Sequence, residues 1–193
     1  MSFSMRVAIY NFGIQIAAYD DPAVAGFARR EPLNFMAAER AEGFIGRSGY
    51  EGEPGPASWG VQVFPRFLKE NGATSGVSSF SLWRDLESLM AYSYSGVHAE
   101  ALKHGRNWNT QQKWPPLVLW WVDAADNPLW ADAVRRFEHL HDHGPSPQAF
   151  NFKQPFAANG TPIEIDRAEV RKIAARNAAG QRELLSAVQA IPV

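Results

Sequence analysis

Cysteine is absent from the 193-residue chain. Its absence excludes disulfides, zinc–thiolate sites, iron–sulfur clusters and thiolate-bound haem. Excess charge of either sign is missing too: 19 Lys and Arg stand against 20 Asp and Glu, a formal charge of −1. That balance removes the electrostatic footprint of a nucleic-acid binder or of a protein drawn to anionic membranes. No apolar run nears the roughly 20 residues of a membrane span, and the first residues lack the basic, apolar and small-residue regions of a secretory leader. A cytoplasmic protein without nucleic-acid or membrane partners is expected. The signatures G-x-S-x-G, G-x-x-x-x-G-K-[ST], G-x-G-x-x-G and H-E-x-x-H are lacking as well.

What the chain does have is aromatic mass. Trp83, Trp108, Trp114, Trp120, Trp121 and Trp130 all fall within the stretch from Ser79 to Phe152. Such rings carry large buried areas and belong in cores, though one or two can wall a ligand site.

Hydrophobic periodicity sets the elements. Arg6–Asn11 reads as a first strand, closed by Asn11 and Gly13. A helical pattern from Asp20 is interrupted at Pro32, which is expected to break or restart the helix before Gly43. Gly43–Arg47 suits an edge strand, and the Gly- and Pro-rich Ser48–Ser58 a loop. Trp59–Phe67 alternates enough for a strand limited by Pro65, and Gly76–Trp83 alternates clearly. Asp85 is the cap of a helix running to His104, with Leu86, Leu89, Met90, Ser93, Val97 and Ala101 as its stripe.

Leu117–Val122 is apolar at every position, so both of its faces need cover. Asn127-Pro128 opens a helix with Trp130, Ala133, Val134, Phe137 and Leu140 on one side, stopped by Gly144-Pro145, and Ala149–Phe152 adds a short strand. From Asp166 to Ile191 a further amphipathic helix follows a D-x-x-E box at Asp166 and Glu169.

The order β-α-β-β-α-β is the ferredoxin-like arrangement. The expected fold is α+β, an antiparallel sheet with helices on one face and an extra C-terminal helix. A bare second face would close on another copy as a dimeric α+β barrel, making the protein a homodimer. The division expected is a barrel domain over residues 1–157 and a helical arm over 158–193.

Among polar residues His98 is the sharpest candidate. On a continuous helix it shares a side with Tyr94, four residues earlier, at the margin of the buried stripe. It suits a general base or a haem-iron ligand, and equally a border histidine bonded to a neighbour. Asn11, Asn34, Arg40 and Arg47 end apolar elements, where they either orient a substrate oxygen or cap backbone groups. His139, His141 and His143 lie at a helix end, where imidazoles complement the dipole. With no third ligand clearly placed, no metal site is assigned to them.

The segments A-E-R-A-E-G-F-I-G-R, S-L-W-R-D-L-E-S-L-M-A-Y-S-Y-S-G-V-H, W-W-V and H-G-P-S-P-Q-A-F-N-F carry a family likeness. Over about Val7–Phe156 the chain resembles the domain of unknown function 3291 family, of the dimeric α+β barrel superfamily. The C-terminal arm lies outside the likeness, and Asn109 stands where the family usually has an aromatic residue. That superfamily holds antibiotic-biosynthesis monooxygenases that use no cofactor, haem-degrading enzymes and haem-ligating relatives. The run S-x-W…Y-x-x-x-H also looks faintly like that of spheroidene monooxygenase.

The resemblance implies a monooxygenase-like oxidoreductase of small-molecule, including secondary, metabolism. An apolar or aromatic substrate would sit between the sheet and the Asp85–His104 helix. His98, Tyr94, Asn11 and Arg47 would be catalytic, and Trp83, Trp121, Trp108 and Asn34 would bind the substrate. The cofactor is either haem, with His98 on the iron, or none. The alternative is a non-catalytic small-molecule or haem-binding protein of the same fold.

Overall fold

A computed structural model describes residues 5–192. The fold is α+β and ferredoxin-like: β1 (Met5–Gly13), β2 (Phe44–Arg47), β3 (Val77–Trp83) and β4 (Leu117–Asp123) form one antiparallel sheet in the order β2-β3-β1-β4. The path from β1 to β2 runs through helix α1 (Ala25–Glu39), and that from β3 to β4 through α3 (Leu86–Tyr94) and α4 (Gly96–His104). A single turn, α2 (Phe67–Glu70), precedes β3, while α5 (Trp130–His143), α6 (Arg167–Gly180) and α7 (Arg182–Gln189) follow β4.

These elements gather into two compact units, each assembled from separate stretches of chain. The sheet unit comprises residues 5–14, Ile45–Arg84 and Gln112–Ile165, and the helical unit Gln15–Phe44, Asp85–Gln111 and 166–192.

In the sheet unit the register pairs Tyr10 with Phe80 and Val118, and Ala8 with Leu82 and Trp120, so these side chains share one face. Helix α5 lays its apolar stripe on that face, burying Trp130, Ala133, Phe137 and Leu140 among them. Gly144, at φ 75°, ends α5 in a conformation that favours glycine. On the opposite face Val7, Trp83 and Leu119 are buried as well, and Phe150 pairs with Leu119 through two backbone hydrogen bonds of 2.8 and 2.9 Å. Strand β4 thus has Val118, Trp120 and Val122 buried on one face and Leu119 on the other, where Leu117 and Trp121 keep partial exposure.

Three elements differ from the sequence reading. Residues Trp59–Phe64 form no strand: Trp59, edge-on to Phe80 at 4.8 Å, and Phe64, 6.1 Å from Phe12, pin an irregular segment to the core while Val61 between them is exposed. Pro32 does not end α1: the helix runs on through it, with the Pro32 ring exposed and Leu33 and Ala37 packed inward. The Asp85–His104 helix is two helices, since Ser95 is extended (φ −138°, ψ 169°) and Gly96 has φ 58°.

The helical unit packs α3 on α6, and α4 on α1 and α7. Its core includes Ala37, Val97, Leu184 and Val188. The arm is therefore integral to this unit. Asp166 caps α6 by accepting from the N–H groups of Ala168 (2.8 Å) and Glu169 (3.1 Å), as the sequence box suggests. Arg30 is buried: it donates to the carbonyls of Gly26 (2.9 Å), Pro192 (3.1 Å) and Ile191 (2.6 Å) and lies over the Trp108 ring. Burial lowers its proton affinity, and the Glu100 carboxylate opposes that in part.

Candidate functional site

The break between α3 and α4 builds the site. A helix that ends leaves its last carbonyls without backbone donors. Here Ser95 Oγ donates to the Ala91 carbonyl, and the His98 imidazole reaches back to the Ser93 carbonyl at 2.8 Å. A carbonyl only accepts, so the contacting nitrogen, Nδ1, carries the proton. The neutral ring then keeps its lone pair on Nε2.

Tyr92 stands beside this imidazole, ring centroids 4.9 Å apart, and its hydroxyl donates to the Asn34 carbonyl at 3.3 Å. Burial lowers the pKa of His98, and the Ser93 bond opposes that only in part. The ring is neutral at pH 7.

His98 and Tyr92 line a small, partly open cleft with room for about one water molecule. Ala37 of α1 and Gly96 of α4 form part of the wall, and α6 and α7 contribute Asn177 and Leu185. Gln181, between those two helices, donates from Nε2 to the Ala37 carbonyl at 3.0 Å and closes the floor. No carboxylate, ammonium or guanidinium lines the cleft. Its lining is therefore chemically suited to a neutral partner rather than an ion.

A haem does not fit here. A porphyrin needs a slot far wider than this cleft, and no cation in the lining would face its propionates.

The other residues singled out in the sequence lie elsewhere. Tyr94 belongs to the helical unit but is 54% exposed and outside the cleft lining. Asn34 reaches the site indirectly, through its carbonyl on Tyr92. Trp108 is a core residue: a Cβ at Gly26 would come within 2.7 Å of its indole.

The remaining four are in the sheet unit. Asn11 is occupied by its cross-strand partner, donating to Ser79 Oγ (2.8 Å) and accepting from Ser79 N–H (3.0 Å). Trp83 is fully buried with Nε1 on Ser81 Oγ, and Trp121 donates to the Phe156 carbonyl at 2.7 Å. Arg47 is half-buried on edge strand β2. The His139 and His143 rings lie 4.6 Å apart at a tilt of 47°, His141 sits edge-on to Phe67, and no group of three metal-ligating side chains gathers among the described residues. Nor does any described helix have the length and apolarity to cross a membrane.

Sequence reasoning missed Tyr92, Asn177 and Gln181. The Ser95-Gly96 pair was the available signal for the first, being a common breaker. For the other two the signal was a pair of amide side chains inside the Ala-rich run A-A-R-N-A-A-G-Q.

The profile of the family described as Domain of unknown function (DUF3291) matches residues 6–166. No curated protein and no solved structure matches the chain.

Proposed function

The chain belongs to the DUF3291 family, and from that premise we propose that it is a monooxygenase-like enzyme acting on a small, ring-bearing molecule held beside His98. The observation that carries this reading is the 2.8 Å bond from Nδ1 to the Ser93 carbonyl. It fixes the tautomer that leaves Nε2 basic, and burial keeps the ring unprotonated at neutral pH. A general base needs both properties.

The likeness to cofactor-free monooxygenases suggests the chemistry. His98 takes a proton from an acidic C–H group, and the carbanion gives its electrons to dioxygen. A methylene becomes a carbonyl, one oxygen atom enters the product and the other leaves as water. The four electrons lost by carbon are those dioxygen gains, so no external reductant is needed. The same cleft in a non-catalytic binder would hold the molecule without consuming oxygen.

Phenol tests the site, because it offers a ring to Tyr92 and a hydroxyl proton to Nε2. In NMR titrations with millimolar phenol, the His98 imidazole signals are expected to shift saturably while those of His139, His141 and His143 stay put. Tyr92→Ala is expected to weaken binding about tenfold, the loss of one ring contact. Unmoved His98 signals would remove the cleft as the site.

A further inference from the structure

Of the three histidines that end α5, two stand together. His139 and His143 are one helical turn apart, and their ring centres lie 4.6 Å from each other. His141 points elsewhere, its ring edge-on to Phe67. The carboxylates beside them are already engaged. Glu138 accepts the backbone N–H of Arg66 at 2.7 Å and lies 3.6 Å from its guanidinium, and Asp142 accepts two hydrogen bonds from the same guanidinium. The imidazoles carry no such commitment. His139 Nε2 lies 3.5 Å from Ser146 Oγ, at the outer limit of a hydrogen bond, and His143 has no hydrogen-bond partner among the described residues.

A nitrogen–metal bond of roughly 2.0–2.1 Å puts the centre of a ligating imidazole about 3.2 Å from the ion. Two centres 4.6 Å apart then subtend about 90° at an ion equidistant from both, the angle between neighbouring positions of a tetragonal or octahedral shell. Aiming one nitrogen of each ring at that point needs only the broad χ2 torsion. His143 is the last residue of α5, so the pair lies toward the end whose carbonyls favour a cation. Arg135, one turn before His139, is paired with Asp132, which offsets its repulsion. Imidazole suits copper, nickel and zinc, whereas calcium and magnesium need oxygen ligands, and here the neighbouring carboxylates are held by Arg66.

We propose that His139 and His143 chelate a late first-row divalent cation, copper(II) ahead of nickel(II) and zinc(II), with water in the remaining positions. The order follows the general ranking of these ions at nitrogen donors. Two protein ligands make a labile site that keeps exchangeable positions toward solvent, unlike the closed shell of a structural zinc. The ion ties successive turns of α5 together just before the stop at Gly144. Only the folded helix brings the two rings to one side, so the ion binds the native chain in preference to the unfolded one and stabilises it.

Calorimetric titration of the full chain with copper(II) chloride, in a buffer that does not coordinate metals, tests the site. One ion per chain is expected, with zinc(II) bound at least tenfold more weakly. His139→Ala and His143→Ala are each expected to weaken copper binding at least tenfold, the loss of one of two protein ligands, while His141→Ala stays within twofold of wild type. Urea denaturation gives a second reading: copper should raise the midpoint of the wild type and leave that of His143→Ala unmoved. His143 is exposed and its ring contact is with His139, so the metal-free midpoint of this variant should match the wild type. Copper affinity in His143→Ala within twofold of wild type would overturn the pair, as would an equal loss in His141→Ala or a wild type that binds no copper. Should His139→Ala fail to fold, the result for His143→Ala decides alone.

Discussion

Replacing Trp130 with alanine is expected to cost about 3–5 kcal/mol of folding stability, the range for removing a fully buried large aromatic side chain. Trp130 is inaccessible to solvent in the sheet unit. Its indole meets Tyr10 edge-on at 6.1 Å and Phe80 at 5.6 Å, and stacks on Tyr50 at 5.9 Å. Its Nε1 donates to Ser58 Oγ at 3.2 Å, and its backbone N–H to the Trp59 carbonyl at 3.1 Å. One side chain therefore ties α5, β1, β3 and the irregular segment before α2 to a single point. Alanine leaves a cavity that backbone elements on several sides cannot collapse to fill. Urea denaturation measures the loss, and Trp130→Phe, which keeps most of the ring contacts, should lose much less. A loss under about 1 kcal/mol for alanine would mean that α5 is not anchored as described.

His98→Gln is expected to lower substrate-dependent oxygen uptake by about 10²- to 10⁴-fold, the usual contribution of a general base. Glutamine is chosen because its amide N–H can still donate to the Ser93 carbonyl and hold the α3–α4 break. A histidine that merely caps α3 would tolerate the change, so uptake within threefold of wild type would assign it that structural role. Stability should also respond to pH differently. Burial lowers the folded-state pKa of His98 below its ordinary value of 6.5. The unfolded chain then binds the proton first as pH falls. The stability His98 contributes is complete above about pH 6.5 and declines below it, by at most about 1.4 kcal/mol per pH unit. It levels off once the folded state is protonated too.

Most of the scaffold was legible because burial imposes a period on the residues. The alternation in β3, the continuous apolar run of β4 and the stripe of α5 each answer to a sheet or helix face that is in fact covered. Where tertiary contacts overrode the local pattern, the reading failed. Trp59 and Phe64 suggest a strand, but they lie five positions apart with Val61 exposed between them, so single rings of an irregular segment enter the core. Pro32 sits within α1 although it removes a backbone donor, because Leu33 and Ala37 hold the inner side of the helix in the core.

The site failed for a related reason. Counting a continuous helix placed Tyr94 one turn from His98, whereas the extended Ser95 and left-handed Gly96 reset the phase and bring Tyr92 to the imidazole instead. His98 itself was visible as a lone imidazole beside a buried stripe. Asn177 was not, because only the fold brings α6 to the cleft.

The central claim is that His98 is a neutral imidazole with its proton on Nδ1 and a basic Nε2. A pH titration of the His98 ring by ¹⁵N-resolved NMR tests it most directly. The expected result is a protonated Nδ1 and an unprotonated Nε2 at pH 7, with a midpoint below 6.5. A proton on Nε2, or a midpoint at or above 6.5, would contradict it.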